Sequence, residues 1–260
     1  MNHRPRKRFG QNFLHDPSVI DRIVHAVNPR PGQQLVEIGP GLGALTGPLL
    51  QATGEMHAVE LDRDLVPKLA ERYGDRLHLH SADALKFDFG QLAGEERLRI
   101  VGNLPYNIST PLIFHLLVQA EYVQDMHFML QKEVVDRLAA SPGGRDYGRL
   151  SVMVQQHCRV EHLFNVSPGA FHPPPKVHSA IVRLLPYETP PVPVARPALF
   201  ARIVARAFSQ RRKTLRNTLK GELDAETIQA CGIDPTRRAE TLSVEEFGRL
   251  AAAAAAAEQD

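Results

Sequence analysis

The turn Gly39-Pro40-Gly41-Leu42-Gly43-Ala44 limits what this chain can fold into more than any other stretch. It follows a short apolar run, Leu35–Ile38, and leads into a helical pattern lasting to about Leu50. Strand, glycine turn and helix in that order satisfy the fingerprint G-x-G-x-x-G/A, where small residues let the backbone approach a bound ligand. A second apolar run, His57–Glu60, ends on an acid 21 residues after Gly39. An acid there accepts hydrogen bonds from ribose hydroxyls. Gly39, Gly41 and Glu60 thus point to an adenosine-containing cofactor. They leave its kind open between a nicotinamide dinucleotide and S-adenosylmethionine.

Strands and helices go on alternating. A helix is expected from Asp64 to about Tyr73, and a third strand over Leu77–Ser81 ending at Ala82-Asp83. A fourth strand is expected over Leu98–Val101, a fifth over Met126–Leu130 and a helix over Glu133–Ala140. Such alternation implies a parallel sheet covered by crossover helices. Arg159–Val166 and Val177–Leu185 read as later strands joined by a short link, which favours antiparallel pairing. Ahead of the sheet, Asp16-Pro17 opens a helix with Val19, Ile20, Ile23, Val24 and Val27 at helical spacing. The proline-rich stretch 186–197 is a linker. Beyond it Leu199, Phe200, Ile203, Val204, Ala207 and Phe208 form an apolar helical stripe, and Leu215 and Leu219 belong to a second helix. Asp234-Pro235 and Ser243-Val244-Glu245-Glu246 each read as a helix start. The expected architecture is an α/β domain over residues 1–190 and a small all-helical domain over 191–260.

The loop Gly102-Asn103-Leu104-Pro105-Tyr106 falls at the carboxyl end of the fourth strand, where open α/β sheets bind ligands. Asn103 offers a side-chain acceptor. Pro105 fixes its own φ and pushes Leu104 into an extended conformation, which turns the Leu104 carbonyl outward. Tyr106 offers a flat face, worth about 1–3 kcal/mol per stacked base. Two acceptors beside a ring fit an exocyclic amine on a planar base such as adenine. They pull on its hydrogens, favour a pyramidal nitrogen and free a lone pair otherwise delocalised into the ring. The plain alternative is an ordinary Asn-Pro turn. A hydroxyl cap at Ser109-Thr110 and Pro111 in the first turn start the next helix. Asp83 is placed to take the amino group of a cofactor's own adenine. Hydride transfer needs no amine-activating loop, so Asp83 and the loop together favour S-adenosylmethionine.

Charge placement adds a partner. Net charge is only +2, yet the first eight residues carry Arg4, Arg6, Lys7 and Arg8 and no acid. From Thr189 to Gly221 there is again no acid, while Arg196, Arg202, Arg206, Arg211, Arg212, Lys213, Arg216 and Lys220 are present. Two acid-free basic segments in a nearly neutral chain point to a phosphate-rich partner. No apolar run reaches 18 residues and no apolar segment follows the basic start, so neither a membrane span nor a signal peptide is expected. Cys158 and Cys231 show no metal or disulfide spacing, which fits a reducing cytosol. The 12 histidines show no ligand spacing and read mainly as surface residues.

Six segments spread along the chain carry a family resemblance. They are Phe9-Gly10-Gln11-Asn12-Phe13-Leu14, Val36–Gly43, Glu60-Leu61-Asp62, Asn103–Tyr106, Phe171-His172-Pro173-Pro174-Pro175-Lys176-Val177 and Gln210–Asn217. With them the sequence resembles the ribosomal RNA adenine dimethylase family, and within it the bacterial small-subunit (16S) adenine N6-dimethyltransferases. The resemblance implies a Rossmann-like class I methyltransferase sheet, mostly parallel with its last strand antiparallel. It implies four methyl transfers from S-adenosylmethionine, leaving S-adenosylhomocysteine and needing no metal, to two adjacent adenosines in a hairpin near the RNA's 3′ end. It further implies a cytoplasmic monomer acting on 16S ribosomal RNA within the small subunit, in subunit biogenesis.

Residue by residue, the resemblance makes Asn12 and Leu14 close over the cofactor. Gly39 lines its methionine end, Glu60 holds its ribose and Asp83 its adenine, and Asn103 lies between cofactor and target. Asn103 is no strong base, so the amine proton leaves to water. Phe171 is a candidate second stacking face, its alternative being a core Phe beside a proline loop. Arg211, Arg212, Lys213 and Arg216 are candidate phosphate contacts. The catalytic half also resembles the macrolide-resistance methyltransferases of 23S ribosomal RNA and the mitochondrial transcription-factor relatives. Gln210–Asn217 favours the small-subunit enzymes. An assembly factor in which methylation is secondary fits the same residues.

Overall fold

The computed structural model describes residues 12–258. Arg4, Arg6, Lys7, Arg8 and Phe9-Gly10-Gln11 lie outside the described residues. Two compact units divide the chain. One runs to Val135 and resumes over Glu161–Pro186; the other comprises Asp136–Val160 and the chain from Tyr187 on. The proline linker begins where the first unit ends. The helical unit takes residues 136–160 in addition to the segment expected, because Tyr147 and Val152 are buried in one cluster with Phe200, Phe247 and Leu250.

In the first unit the short strands β1 (Phe13–Leu14) and β8 (Phe171–His172) pair antiparallel. Seven longer strands make one sheet: β2 (Leu35–Ile38), β3 (Met56–Glu60), β4 (Leu77–Ser81), β5 (Leu98–Asn103), β6 (Val123–Gln131), β7 (Cys158–Val166) and β9 (Ser179–Pro186). Their order is β4-β3-β2-β5-β6-β9-β7. β2 pairs parallel with both β3 and β5, matching Ile38 to Val59 and to Gly102. All four β2 residues are buried, which is why the strand reads as an apolar run interrupted only by Glu37. β9 runs antiparallel to β6, with Met129 opposite Ile181, as expected of the last strand. The chain leaves β2 toward β3 and β4, then returns to β5 on the other side. That reversal opens a crevice at the carboxyl ends of β2 and β5.

The helices α1 (Pro17–Val27), α2 (Thr46–Thr53), α3 (Val66–Tyr73), α4 (Ser109–Val118) and α5 (Lys132–Ala139) follow the expected alternation. Asp16 caps α1 by accepting from Ser18 and Val19 N–H at 2.9 and 3.3 Å, and Asn28 ends it in the left-handed region at φ 48°. Ser109 does not cap α4; it is already helical, and its hydroxyl donates to the Tyr106 carbonyl at 3.2 Å.

β6 begins three residues before the expected Met126. The reason is Asp125, a charge inside an apolar strand. It is paired by Arg99 of β5, Nε to Oδ1 at 3.0 Å and Nη2 to Oδ2 at 2.8 Å. Arg99 also donates to the Val27 carbonyl at 2.6 Å, tying the end of α1 to the sheet. His127 on the same strand is 2 % exposed, and the imidazoles of His57 and His80 meet at 3.1 Å. Reading the histidines as mainly surface residues is wrong for His127, while His57 and His80 are half-buried.

The second unit holds α6 (Arg149–Gln155), α7 (Pro197–Ala207), α8 (Leu215–Thr218), α9 (Ala225–Ala230) and α10 (Val244–Ala257). Ser243 and Glu246 form the expected capping box of α10. Asp234-Pro235 starts no helix. Asp234 closes a turn by accepting from Thr236 N–H at 2.8 Å, while Asp224 caps α9. Among the described residues no helix is long and apolar enough to cross a membrane.

Candidate active site

A cleft of about 340 Å³ occupies the crevice. Asn12, Leu14, Gly39, Gly41, Glu60, Asp83, Asn103, Leu104, Pro105 and Tyr106 all line it. The turn after β2 forms one wall. Gly39 has φ +67° with open space where a Cβ would stand, so its backbone faces the cleft directly. Gly41 lies under the Phe13 ring of β1, 3.3 Å from a Cβ built on it. The far side of the turn is gripped from α3. The Tyr73 hydroxyl donates to the Gly43 carbonyl at 3.0 Å, and Arg72 donates to the Leu42 carbonyl at 3.2 Å.

Glu60, at the end of β3, joins the turn to its own loop. Its two carboxylate oxygens accept from Gly41 N–H at 3.1 Å and Asp62 N–H at 2.8 Å. Burial raises its pKa, and those two N–H groups oppose the rise. Each oxygen keeps capacity for a further donor, which suits ribose hydroxyls. Asp83 accepts from Leu85 N–H through Oδ1 at 3.0 Å. Leu61, 49 % exposed, adds an apolar surface to the same cleft. These acceptors fit the ribose hydroxyls and the amine of an adenosine-containing cofactor. Glu37 also lines the cleft and was missed as a site residue. It is 2 % exposed and accepts from the Thr46 hydroxyl at 2.6 Å. Burial pushes its pKa up to about 7 against that hydrogen bond. An acid inside the apolar run Leu35–Ile38 was the available signal.

β5 forms the opposite wall and extends through Asn103, which pairs with Met129. Leu104 N–H donates to the Met129 carbonyl at 3.2 Å, and the Leu104 side chain is buried. Asn103 donates from Nδ2 to the Asn12 carbonyl at 3.1 Å. The donor half of that amide is thus engaged, and Oδ1 is its acceptor. The Tyr106 hydroxyl bonds the Ser179 hydroxyl at 2.8 Å, and burial raises its pKa.

Two expectations change in space. Phe171 is 3 % exposed and packs in the core with Leu14, its partner across β1 and β8. Its pairing in β8 turns the ring inward, so it offers no stacking face here. The basic stretch after the linker is acid-free only in sequence. In the helical unit Arg196 and Arg202 pair with Glu258, and Arg202 with Glu222 at 3.2 Å. Arg211 pairs with Glu240 at 3.1 Å and donates to the Arg145 carbonyl at 2.7 Å. Arg212, Lys213 and Arg216 are exposed, as expected.

A mostly parallel seven-stranded sheet with an antiparallel strand between β6 and the edge, and a cleft lined by Gly39, Glu60 and Asp83 at its reversal point, defines the methyltransferase class of α/β fold. Comparison with known proteins narrows this. The model of the family described as ribosomal RNA adenine dimethylase matches residues 2–256, and the chain belongs to that family. Ribosomal RNA small subunit methyltransferase A of Pseudomonas aeruginosa is 63 % identical over 252 residues, covering 96 % of this chain and 94 % of that protein. A dimethyladenosine transferase from Plasmodium falciparum has a solved structure with TM-score 0.77 and 26 % identity, covering 92 % of this chain and 95 % of that one. The 23S rRNA methyltransferase ErmE gives TM-score 0.74 and 25 % identity, covering 93 % and 99 %.

Proposed function

We propose that the chain transfers methyl groups from S-adenosylmethionine to the N6 amines of two adjacent adenosines in a hairpin near the 3′ end of 16S ribosomal RNA. The products are dimethyladenosines and S-adenosylhomocysteine. The reaction takes place on the small subunit, in the cytoplasm, with the enzyme as a monomer, and serves subunit biogenesis. One observation carries the reading: the Asn103 amide has its donor engaged on Asn12, beside Tyr106 and in the same cleft as Glu60 and Asp83. The 63 % identical relative is named for the small subunit, whereas ErmE, named for 23S rRNA, is 25 % identical. That difference supports the small-subunit substrate.

When bound, S-adenosylmethionine supplies a methyl group already activated by a sulfonium. Glu60 binds the ribose hydroxyls and Asp83 the cofactor's adenine amine. Asn12 and Leu14 cover the site and exclude water. The target adenosine leaves its stack at a cost of a few kcal/mol, least in a loop, and Tyr106 offsets part of that by stacking. Asn103 Oδ1 and the Leu104 carbonyl accept from the N6 hydrogens, which orients the nitrogen lone pair and preorganises the charge that develops there. Neither acceptor is a strong base, so the amine proton passes to water once the nitrogen is cationic.

Incubation with labelled S-adenosylmethionine and purified small and large ribosomal particles, followed by mapping of the labelled nucleotide, tests this. Label on two adjacent adenosines near the 16S 3′ end is expected. Label confined to 23S RNA, or none on RNA, would refute it.

A further inference from the structure

Tyr106 is one residue beyond the proline that ends the β5 ladder, on a loop that lines the cleft. Its hydroxyl reaches across to Ser179, the first residue of β9. Ser179 is fully buried, with 0 % exposure, and sits opposite Gln131 in the antiparallel ladder with β6. The preceding residue is held too, since Lys132 N–H donates to the His178 carbonyl at 2.9 Å. A rigid strand end therefore presents one hydroxyl to a half-buried phenol on a loop. A buried serine on a strand end otherwise made of apolar residues is a cost unless its hydroxyl has a partner. Here the partner is the ring that lines the cleft.

We propose that Ser179 is a positioning residue for methyl transfer, holding the Tyr106 phenol so that the ring stands as a fixed face for the target base. This rests on the reading of Tyr106 as the stacking platform. The phenol's hydrogen bond restricts both torsions of the Tyr106 side chain at once. Without it the ring samples other rotamers, and the base loses the alignment that brings its amine to within about 3–3.5 Å of the methyl carbon. Ser179 touches neither base nor cofactor and acts only through Tyr106.

The test is a double-mutant cycle with Ser179→Ala and Tyr106→Phe, assayed on small ribosomal particles. Each single variant should lower kcat about 10-fold, the loss of one hydrogen bond's worth of alignment, with the KM for S-adenosylmethionine unchanged. The double variant should be no slower than either single one, because both remove the same bond. Ser179→Thr, which keeps the hydroxyl, should restore most of kcat. RNA carrying 2-aminopurine at the target position should be quenched less on binding Ser179→Ala than on binding the unaltered protein. Unaltered kcat in Tyr106→Phe, or a further 10-fold loss when Ser179→Ala is added to it, would overturn the proposal. Tyr106→Ala separates the two levels. If it is inactive while Tyr106→Phe is fully active, Ser179 loses its role and the platform stands. If Tyr106→Ala is fully active, the platform itself falls.

Discussion

Asn103 Nδ2 donates to the main-chain oxygen of Asn12 across 3.1 Å, joining the end of β5 to the segment that enters β1. This contact sets which way the amide points. It also links the two walls of the cleft, because the next residue, Phe13, lies over Gly41.

The contact divides labour between side chains. Asn103→Ala and Tyr106→Ala should abolish methyl transfer while weakening cofactor binding less than Glu60→Ala does. Asn103→Asp should also be inactive, since a carboxylate has no hydrogen to give Asn12 and would face its carbonyl. Calorimetric titration of S-adenosylmethionine beside single-turnover assays checks this. Equal loss of cofactor binding in the Asn103, Tyr106 and Glu60 variants would contradict the division.

The glycine turn makes a second, purely structural prediction. Gly39→Ala meets open space, so its cost is the backbone strain of φ +67° alone, about 1–2 kcal/mol. Gly43→Ala carries comparable strain at φ +81° and places its Cβ 2.5 Å from the Tyr73 hydroxyl. Gly43→Ala should therefore destabilise more in urea unfolding, and Tyr73→Phe should relieve part of the excess. Gly39→Ala should mainly weaken cofactor binding.

In the helical unit, Arg196, Arg202 and Arg211 have acidic partners. Arg206, Arg212, Lys213, Arg216 and Lys220 are exposed and form no ion pair among the described residues. If these five meet phosphates, log affinity for single-stranded RNA should fall with log salt at a slope near about −3.5. Arg212→Ala should make the slope shallower by about 0.7, whereas Arg196→Ala should leave it unchanged. Filter binding across a salt series gives both numbers.

His127 makes stability depend on pH. Burial lowers its pKa to about 4 despite nearby Asp125, with Arg99 and Arg183 adding to the fall. The unfolded chain takes up this proton near pH 6.5, and the folded chain only near 4. Stability is thus present above pH 6.5 and lost as pH falls toward 4, by about 3 kcal/mol at most for this residue. His57, also lowered to about 4 by burial and by His80, acts in the same direction. Glu37, raised to about 7 by burial, works the other way and adds stability as pH falls from about 7 toward 4.5. The His127 contribution is therefore read as a difference: between pH 6.5 and 5, His127→Met should lose less stability, or gain more, than the unaltered protein in melting curves.

The cleft was legible because its residues cluster where strands end. Parallel strands buried on both faces read as apolar runs, so the turn after Ile38 and the acid Glu60 stand where the sequence puts them. The fourth strand runs two residues past Val101, so Gly102 and Asn103 belong to the ladder and not to the loop. What escaped depends on partners far along the chain. Asp125 is tolerable in β6 because Arg99 and Arg183 lie beside it, and none of the three announces the others. Ser179 gains meaning only from Tyr106, 73 residues earlier. The inward turn of Phe171 follows from its pairing with Leu14, and the pairing of Arg202 and Arg211 from acids outside the acid-free window. α6, at seven residues, is too short to display a helical period.

A structure of the protein with a cofactor analogue and an RNA hairpin carrying the target adenosines probes the amine-gripping loop most directly. The target N6 should lie within about 3.2 Å of both Asn103 Oδ1 and the Leu104 carbonyl, with the base stacked on Tyr106. An adenosine whose N6 meets neither oxygen, or a cleft that accepts a nicotinamide dinucleotide in place of the analogue, would contradict it.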